Sequence, residues 1–283
     1  MTNEDLNEAI SQEEAIEKAR EIIKKLGYYE FNVEKVELIK YPDDYEMEWM
    51  IIGKEQISIN LDAYTGKLVS FSAYNLDDTK IENKLGKEEV EKVMTDIYER
   101  LGYSKEEYIL TALNKVEITD DSPLWQGDFC KIYDGIVNEF ECIRLTVIPE
   151  TNELRGVNVF DCKTENNPVI ISEEETIQIA KDKAKELNKD LNRIKDITAK
   201  IKFEKLNTMV YHEEMNEKEQ EEKIKENTTT NQNTNELYDY RLEELVRKVW
   251  RVEIEYKNDV FTERDSYFVD CETGKILGGD SIK

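Results

Sequence analysis

The sequence predicts an α+β protein of three tandem units, each a helix packed on an antiparallel β-sheet. Three observations carry that expectation. A capping residue is followed 16 positions later by a residue suited to a left-handed helix stop, at Ser11 and Gly27, Gly86 and Gly102, and Ser172 and Asn188. Each helix leads into segments that alternate apolar and polar residues, the pattern of a sheet with one buried face. Each such stretch holds a tryptophan (Trp49, Trp125, Trp250) upstream of a Thr-Gly or Thr-Asn turn. The units so read span 1–78, 79–167 and 168–283.

The first helix opens with Ser11 as N-cap and Glu14 three residues on, a capping box. Its apolar stripe is Ala15, Ile16, Ala19, Ile22, Ile23 and Leu26, and Gly27 stops it. Strands are expected near 33–40, 45–53, 56–62 and 67–74, closing on Asp62-Ala63-Tyr64-Thr65-Gly66-Lys67. Gly66 is expected at positive φ, and so is Gly274 in the matching turn of the last unit. The second helix starts at Gly86 with Glu89, carries Val90, Val93, Met94, Ile97 and Leu101 on one face, and stops at Gly102. The third pairs Ser172 with Glu175 and buries Ile177, Ala180, Ala184 and Leu187. Apolar residues in staple position, Ile10, Leu85 and Ile171, precede the three caps. An insertion at about 212–237, rich in Glu, Lys, Asn and Thr, reads as a solvated extension and a flexible loop.

Composition narrows function more than it names it. A formal charge of -25 repels phosphate backbones and anionic lipid head groups, so neither nucleic acid nor a membrane surface is an expected partner. No apolar run reaches transmembrane length, and the acidic first residues have no leader pattern. Taken literally the chain is soluble and cytoplasmic; a mature form whose leader has been removed reads equally well. The four cysteines, Cys130, Cys142, Cys162 and Cys271, form no CxxC pair. Cys130 and Cys142 can face each other across a hairpin, but four free, partly buried thiols is the preferred reading.

Ile10-Ser11-Gln12-Glu13-Glu14-Ala15, then Trp49, then Asp62-Ala63-Tyr64-Thr65-Gly66-Lys67-Leu68 resembles the PepSY domain family of peptidase propeptides and cell-envelope proteins. Ile171-Ser172-Glu173-Glu174-Glu175-Thr176, Trp250 to Ile254 and Asp270-Cys271-Glu272-Thr273-Gly274-Lys275-Ile276 match in the same way. The middle unit departs, with Ile148 for the turn aspartate and Asn152 for the glycine. The tandem arrangement is similar to multi-PepSY proteins related to YcdB and YpeB. The resemblance implies a non-catalytic binding or inhibitory role, outside the cytoplasm, toward a protein partner such as a peptidase or an envelope component. A structural spacer in a larger envelope or spore protein is the alternative. The shared residues are turn and core residues, so no functional residue transfers.

The chemistry of the side chains points the same way. His212 is the only histidine, so a two-histidine zinc motif is missing and a catalytic triad would have to use it. The acidic pairs Asp43-Asp44, Asp77-Asp78 and Asp120-Asp121 read as turn formers. Gly278-Gly279 opens no helix and makes no phosphate loop. The expected sets of catalytic, cofactor-binding and metal-ligating residues are therefore empty, no cofactor is expected, and binding residues stay unassigned. Most tyrosines, including Tyr28, Tyr29, Tyr41, Tyr45, Tyr64 and Tyr74, are expected in the core or on strand faces, with some open to recognition.

Overall fold

The computed structural model describes residues 9–40, 47–74, 85–117, 123–149, 151, 153–205, 245–257 and 263–282. The chain divides into two compact units, Met1–Asp161 and Cys162–Lys283. The 212–237 insertion, His212, Asn152 and the three acidic pairs lie outside the described residues.

The first unit holds helices α1 (Gln12–Lys25) and α2 (Lys87–Leu101). Its strands are β1 (Val33–Lys40), β2 (Met47–Gly53), β3 (Ile57–Asp62), β4 (Leu68–Ala73), β5 (Tyr108–Glu117), β6 (Pro123–Tyr133), β7 (Ile136–Ile148) and β8 (Glu153–Phe160). The punctuation read from the sequence does its work here. Ser11 Oγ accepts from the Glu14 N–H at 3.1 Å, while Gly27 and Gly102 both take φ of 100°. The capping box at Ser11 is only half formed, because the Glu14 carboxylate lies 3.7 Å from Lys18 instead of reaching back. Gly86 caps α2 without a side chain, and Glu89 Oε2 accepts its N–H at 2.9 Å.

The expectation of three helix-on-sheet units is overturned. The protein is mostly strand, and its first two helices share one eight-stranded antiparallel sheet in the order β1-β2-β3-β4-β8-β7-β6-β5. Two four-stranded meanders are joined edge to edge by pairing Ser70, Phe71 and Ser72 of β4 with Asn158, Val157 and Gly156 of β8. The physical reason is that an unpaired β4 or β8 would leave a row of open backbone groups, and each strand satisfies the other.

Registry carries a single apolar row across all eight strands. Val36, Ile51, Ile59, Phe71, Val157, Leu145, Gly127 and Leu113 are successive cross-strand partners. Their face meets Ala15, Ala19 and Ile23 of α1 and Val90, Met94 and Ile97 of α2 in one core. Gly127 interrupts the row for a reason: a Cβ there would sit 2.6 Å from Met94 Sδ, so α2 seats against bare backbone.

The second unit contains β9 (Lys163–Glu165), α3 (Glu173–Glu186), a 3₁₀ turn at Leu191–Arg193, β10 (Ile194–Lys205), β11 (Leu245–Tyr256), β12 (Glu263–Asp270) and β13 (Ile276–Ile282). Strands β10 to β13 form an antiparallel meander, and β9 runs parallel to the start of β11. Here the Ser172 box closes fully: Ser172 Oγ accepts from Glu175 N–H, and Glu175 Oε2 accepts from Ser172 N–H at 3.0 Å. Asn188 stops the helix at φ 60°. Buried Ala180 and Ala184 let α3 approach Trp250, Val252, Ile254 and Val269 closely.

Candidate functional site

The residues that carried the family resemblance are spent on structure. Asp62 Oδ1 accepts from the N–H groups of Tyr64 and Thr65 and from Thr65 Oγ1, and Asp270 Oδ1 accepts from Glu272, Thr273 and Thr273 Oγ1 in the same way. Gly66 and Gly274 follow at φ 67° and 71°, the positive values expected of them. Trp49 Nε1 donates to the Ile10 carbonyl and Trp250 Nε1 to that of Ile171, tying each sheet to the residue before its helix cap. Burial alone would raise the Asp270 carboxyl, but its turn hydrogen bonds and the Arg247 charge hold it below the ordinary aspartate value. Arg247 Nε lies 2.6 Å from Asp270 Oδ2 at an angle that makes the contact an ion pair rather than a hydrogen bond.

The chemically richest place lies at the β5 end of the large sheet. Among the described residues β5 pairs only with β6, so its other edge is open. Residues 108–114, Tyr-Ile-Leu-Thr-Ala-Leu-Asn, carry no charge, in a chain where 36% of residues do. An aromatic series leads from the core to this edge. Tyr98 stacks on Phe129 at 4.8 Å and on Tyr103 at 6.2 Å, and Tyr103 meets Tyr108 edge-on at 5.4 Å. Burial raises the hydroxyls of Tyr98, Tyr103 and Tyr108, so all three stay neutral.

A charged cluster closes the series. Lys131 Nζ donates to Glu141 Oε1 at 2.5 Å, Tyr133 Oη donates to Glu141 Oε2 at 2.6 Å, and Lys131 lies 6.0 Å above the Tyr108 ring. Partial burial pushes the Lys131 ammonium down, but its bonds to Glu141 and Tyr133 outweigh this and hold it above the usual lysine range. Glu141 is buried beside the fully buried Asn138, where β7 bulges between Asn138 and Cys142.

The cysteine expectation needs correction at this point. Cys130 and Cys142 are directly opposite on β6 and β7, with Cα atoms 4.1 Å apart, and form a disulfide. Close non-hydrogen-bonded strand pairs bring side chains near enough for this, and the bulge puts the two in register. Cys162 and Cys271 are free, and burial pushes the Cys271 thiol up to about 11.

The remaining residues singled out in the sequence scatter. Tyr28 packs on Phe71 and donates to the Leu154 carbonyl, whereas Tyr29, Tyr64 and Tyr74 are exposed, and Tyr41 and Tyr45 lie outside the described residues. In the second unit Glu263 and Asp265 are bridged by Lys189 at 3.4 and 3.1 Å, and Arg193 also binds Glu263. These two carboxylates are thus held by cations. Sequence reasoning missed the Tyr98-Tyr103-Tyr108 series, although its spacing of five around the Gly102 stop was available as a signal.

No family model matches the sequence, and no curated protein matches it. Among solved structures the chain is similar to the Bacillus megaterium YpeB C-terminal domain, with a TM-score of 0.44 and 10% identity, over 97% of this chain and 99% of that one. No helix among the described residues is long and apolar enough to cross a membrane.

Proposed function

We propose that the chain is a non-enzymatic binding module of the bacterial cell envelope that holds an extended segment of a protein partner along β5. The observation that carries this reading is the open, uncharged edge at Tyr108–Asn114. Strand addition takes its affinity from main-chain hydrogen bonds and its specificity from alternate side chains, and such an edge offers both. The other outer strand of the sheet, β1, carries Glu34, Lys35, Glu37 and Lys40, the charges that discourage pairing. The Cys130–Cys142 bond supports an oxidising compartment outside the cytoplasm. The PepSY-like wording supports a peptidase as the partner, whose activity the module would modulate.

The test is a crosslinking pull-down from envelope and secreted fractions with wild type and with Thr111→Lys, which charges an exposed edge position. Recovery of one protein at near-equal amounts, lost in the variant, supports the reading. Equal recovery by both, or no retained protein and no peptidase slowed, removes it. A spacer role is the second reading. The unbroken sheet favours it, since eight strands span about 34 Å at the usual strand separation.

A further inference from the structure

We infer that the face of the large sheet opposite its helices is a docking strip for a neutral glycan bearing acetamido groups. This goes beyond the proposed edge site and rests on different residues. On either side of the apolar row run two rows that point the other way. One pairs Met50, Asn60, Ser70, Asn158, Arg144 and Asp128; the other pairs Ile52, Ser58, Ser72, Gly156, Thr146 and Gln126.

The composition of that face is unlike the rest of the chain. From β3 to β6 its two rows hold Ser, Asn, Thr, Gln and Gly, and the one cation and one anion cancel. Arg144 Nε donates to Asp128 Oδ1 at 2.7 Å and Nη2 to Oδ2 at 3.1 Å, a bidentate pair. A protein with a formal charge of -25 has kept a strip of no net charge across the middle of its sheet. Solubility does not require this, since charges serve that purpose better.

The residue types choose the occupant. Carboxamides and hydroxyls offer donors and acceptors together, which suits hydroxyls and acetamido groups and gives no grip on an ion. Beside them Phe160 is 44% exposed at the end of β8, with the Arg144 guanidinium 5.2 Å from its ring, and presents an aromatic platform for the C–H face of a sugar. A protein interface would instead be anchored by Trp, Tyr and large apolar residues, and serines and threonines make weak anchors. The overall negative charge disfavours a nucleic acid. Strand separation sets the length from Asn60 to Asp128 at about 19 Å, room for several sugar rings.

The experiment titrates the full chain with the β-1,4-linked hexamer of N-acetylglucosamine, with cellohexaose as the control lacking acetamido groups. Calorimetry reads affinity and amide NMR shifts read location. The expected result is binding of the acetylated hexamer with shifts on the two polar rows. Cellohexaose, and the variants Asn158→Asp and Phe160→Ala at unchanged melting temperature, should each bind about tenfold weaker or worse. Ser70→Glu serves as a further variant should Phe160→Ala lose its fold, and the wild-type shift map needs no variant. Four outcomes overturn the inference: no binding, equal binding of cellohexaose, shifts elsewhere on the molecule, or self-association through this face that Asn158→Asp abolishes.

Discussion

If α1 and α2 truly share one core, a cavity made at the junction of the two meanders must weaken both. Phe71 is the residue to remove. It is 2% exposed, lies between Ile59 of β3 and Val157 of β8, and its ring is 5.3 Å from that of Tyr28. Truncating a buried phenylalanine to alanine costs about 3–5 kcal/mol, and the lost aromatic pair accounts for about 1 kcal/mol within that range. Phe71→Ala should therefore cost about 4 kcal/mol, and Phe71→Leu should cost less than about 1.5 kcal/mol if the neighbours close around it. Native-state hydrogen exchange is the assay, because it reads the opening free energy of each strand separately. Amides of β2 and β3 and amides of β6 and β7 should lose protection by the same amount. Loss confined to β2 and β3, with β6 and β7 at wild-type protection, would mean two independent sheets and would refute the shared core.

Four further outcomes follow from the same structure. Gly66→Val should destabilise its turn by about 1–2 kcal/mol or more, since φ is positive and the new side chain meets the Lys18 methylenes; an unchanged melting temperature contradicts this. Tyr98→Phe should be neutral or stabilise by up to about 1 kcal/mol, because the buried Tyr98 hydroxyl has no partner among the described residues, and a clear loss in urea unfolding would show otherwise. Asp270 is held below the usual aspartate value, so its contribution is present above about pH 3.9 and is lost as pH falls through the lower folded value. Asp270→Asn should cost about 2 kcal/mol at neutral pH and flatten acid unfolding of the second unit, and an unaltered acid limb would reject the assignment. Alkylation at pH 8 without reductant should label Cys162 and spare Cys130, Cys142 and Cys271, as read by peptide mass; labelling of Cys130 would disprove the disulfide.

Local punctuation was legible in the sequence and assembly was not. Ser11, Gly27, Gly102, Ser172 and Asn188 act within a few residues of themselves, so their chemistry is complete in the string. Period-two alternation states which face of a strand is apolar, and it says nothing about which strand lies alongside. Phe71 and Val157 would show the same pattern at the rim of two small sheets as they do in the middle of one large sheet. The disulfide was ambiguous for a related reason: a separation of 12 allows the pair, and only the bulge in β7 sets the register that forms it. The polar strip was equally hidden, since Asn60, Ser70, Asn158 and Gln126 come from four separate segments and become neighbours through pairing alone.

The junction between β4 and β8 has a mechanical meaning as well. Among the described residues it is the narrowest ladder in the large sheet, three pairs where the neighbouring ladders have five or more. A load drawn across the strands meets its weakest line there, in the middle of the sheet and far from β1 and β5. Tension would part the molecule into two four-stranded halves, each still carrying its own helix.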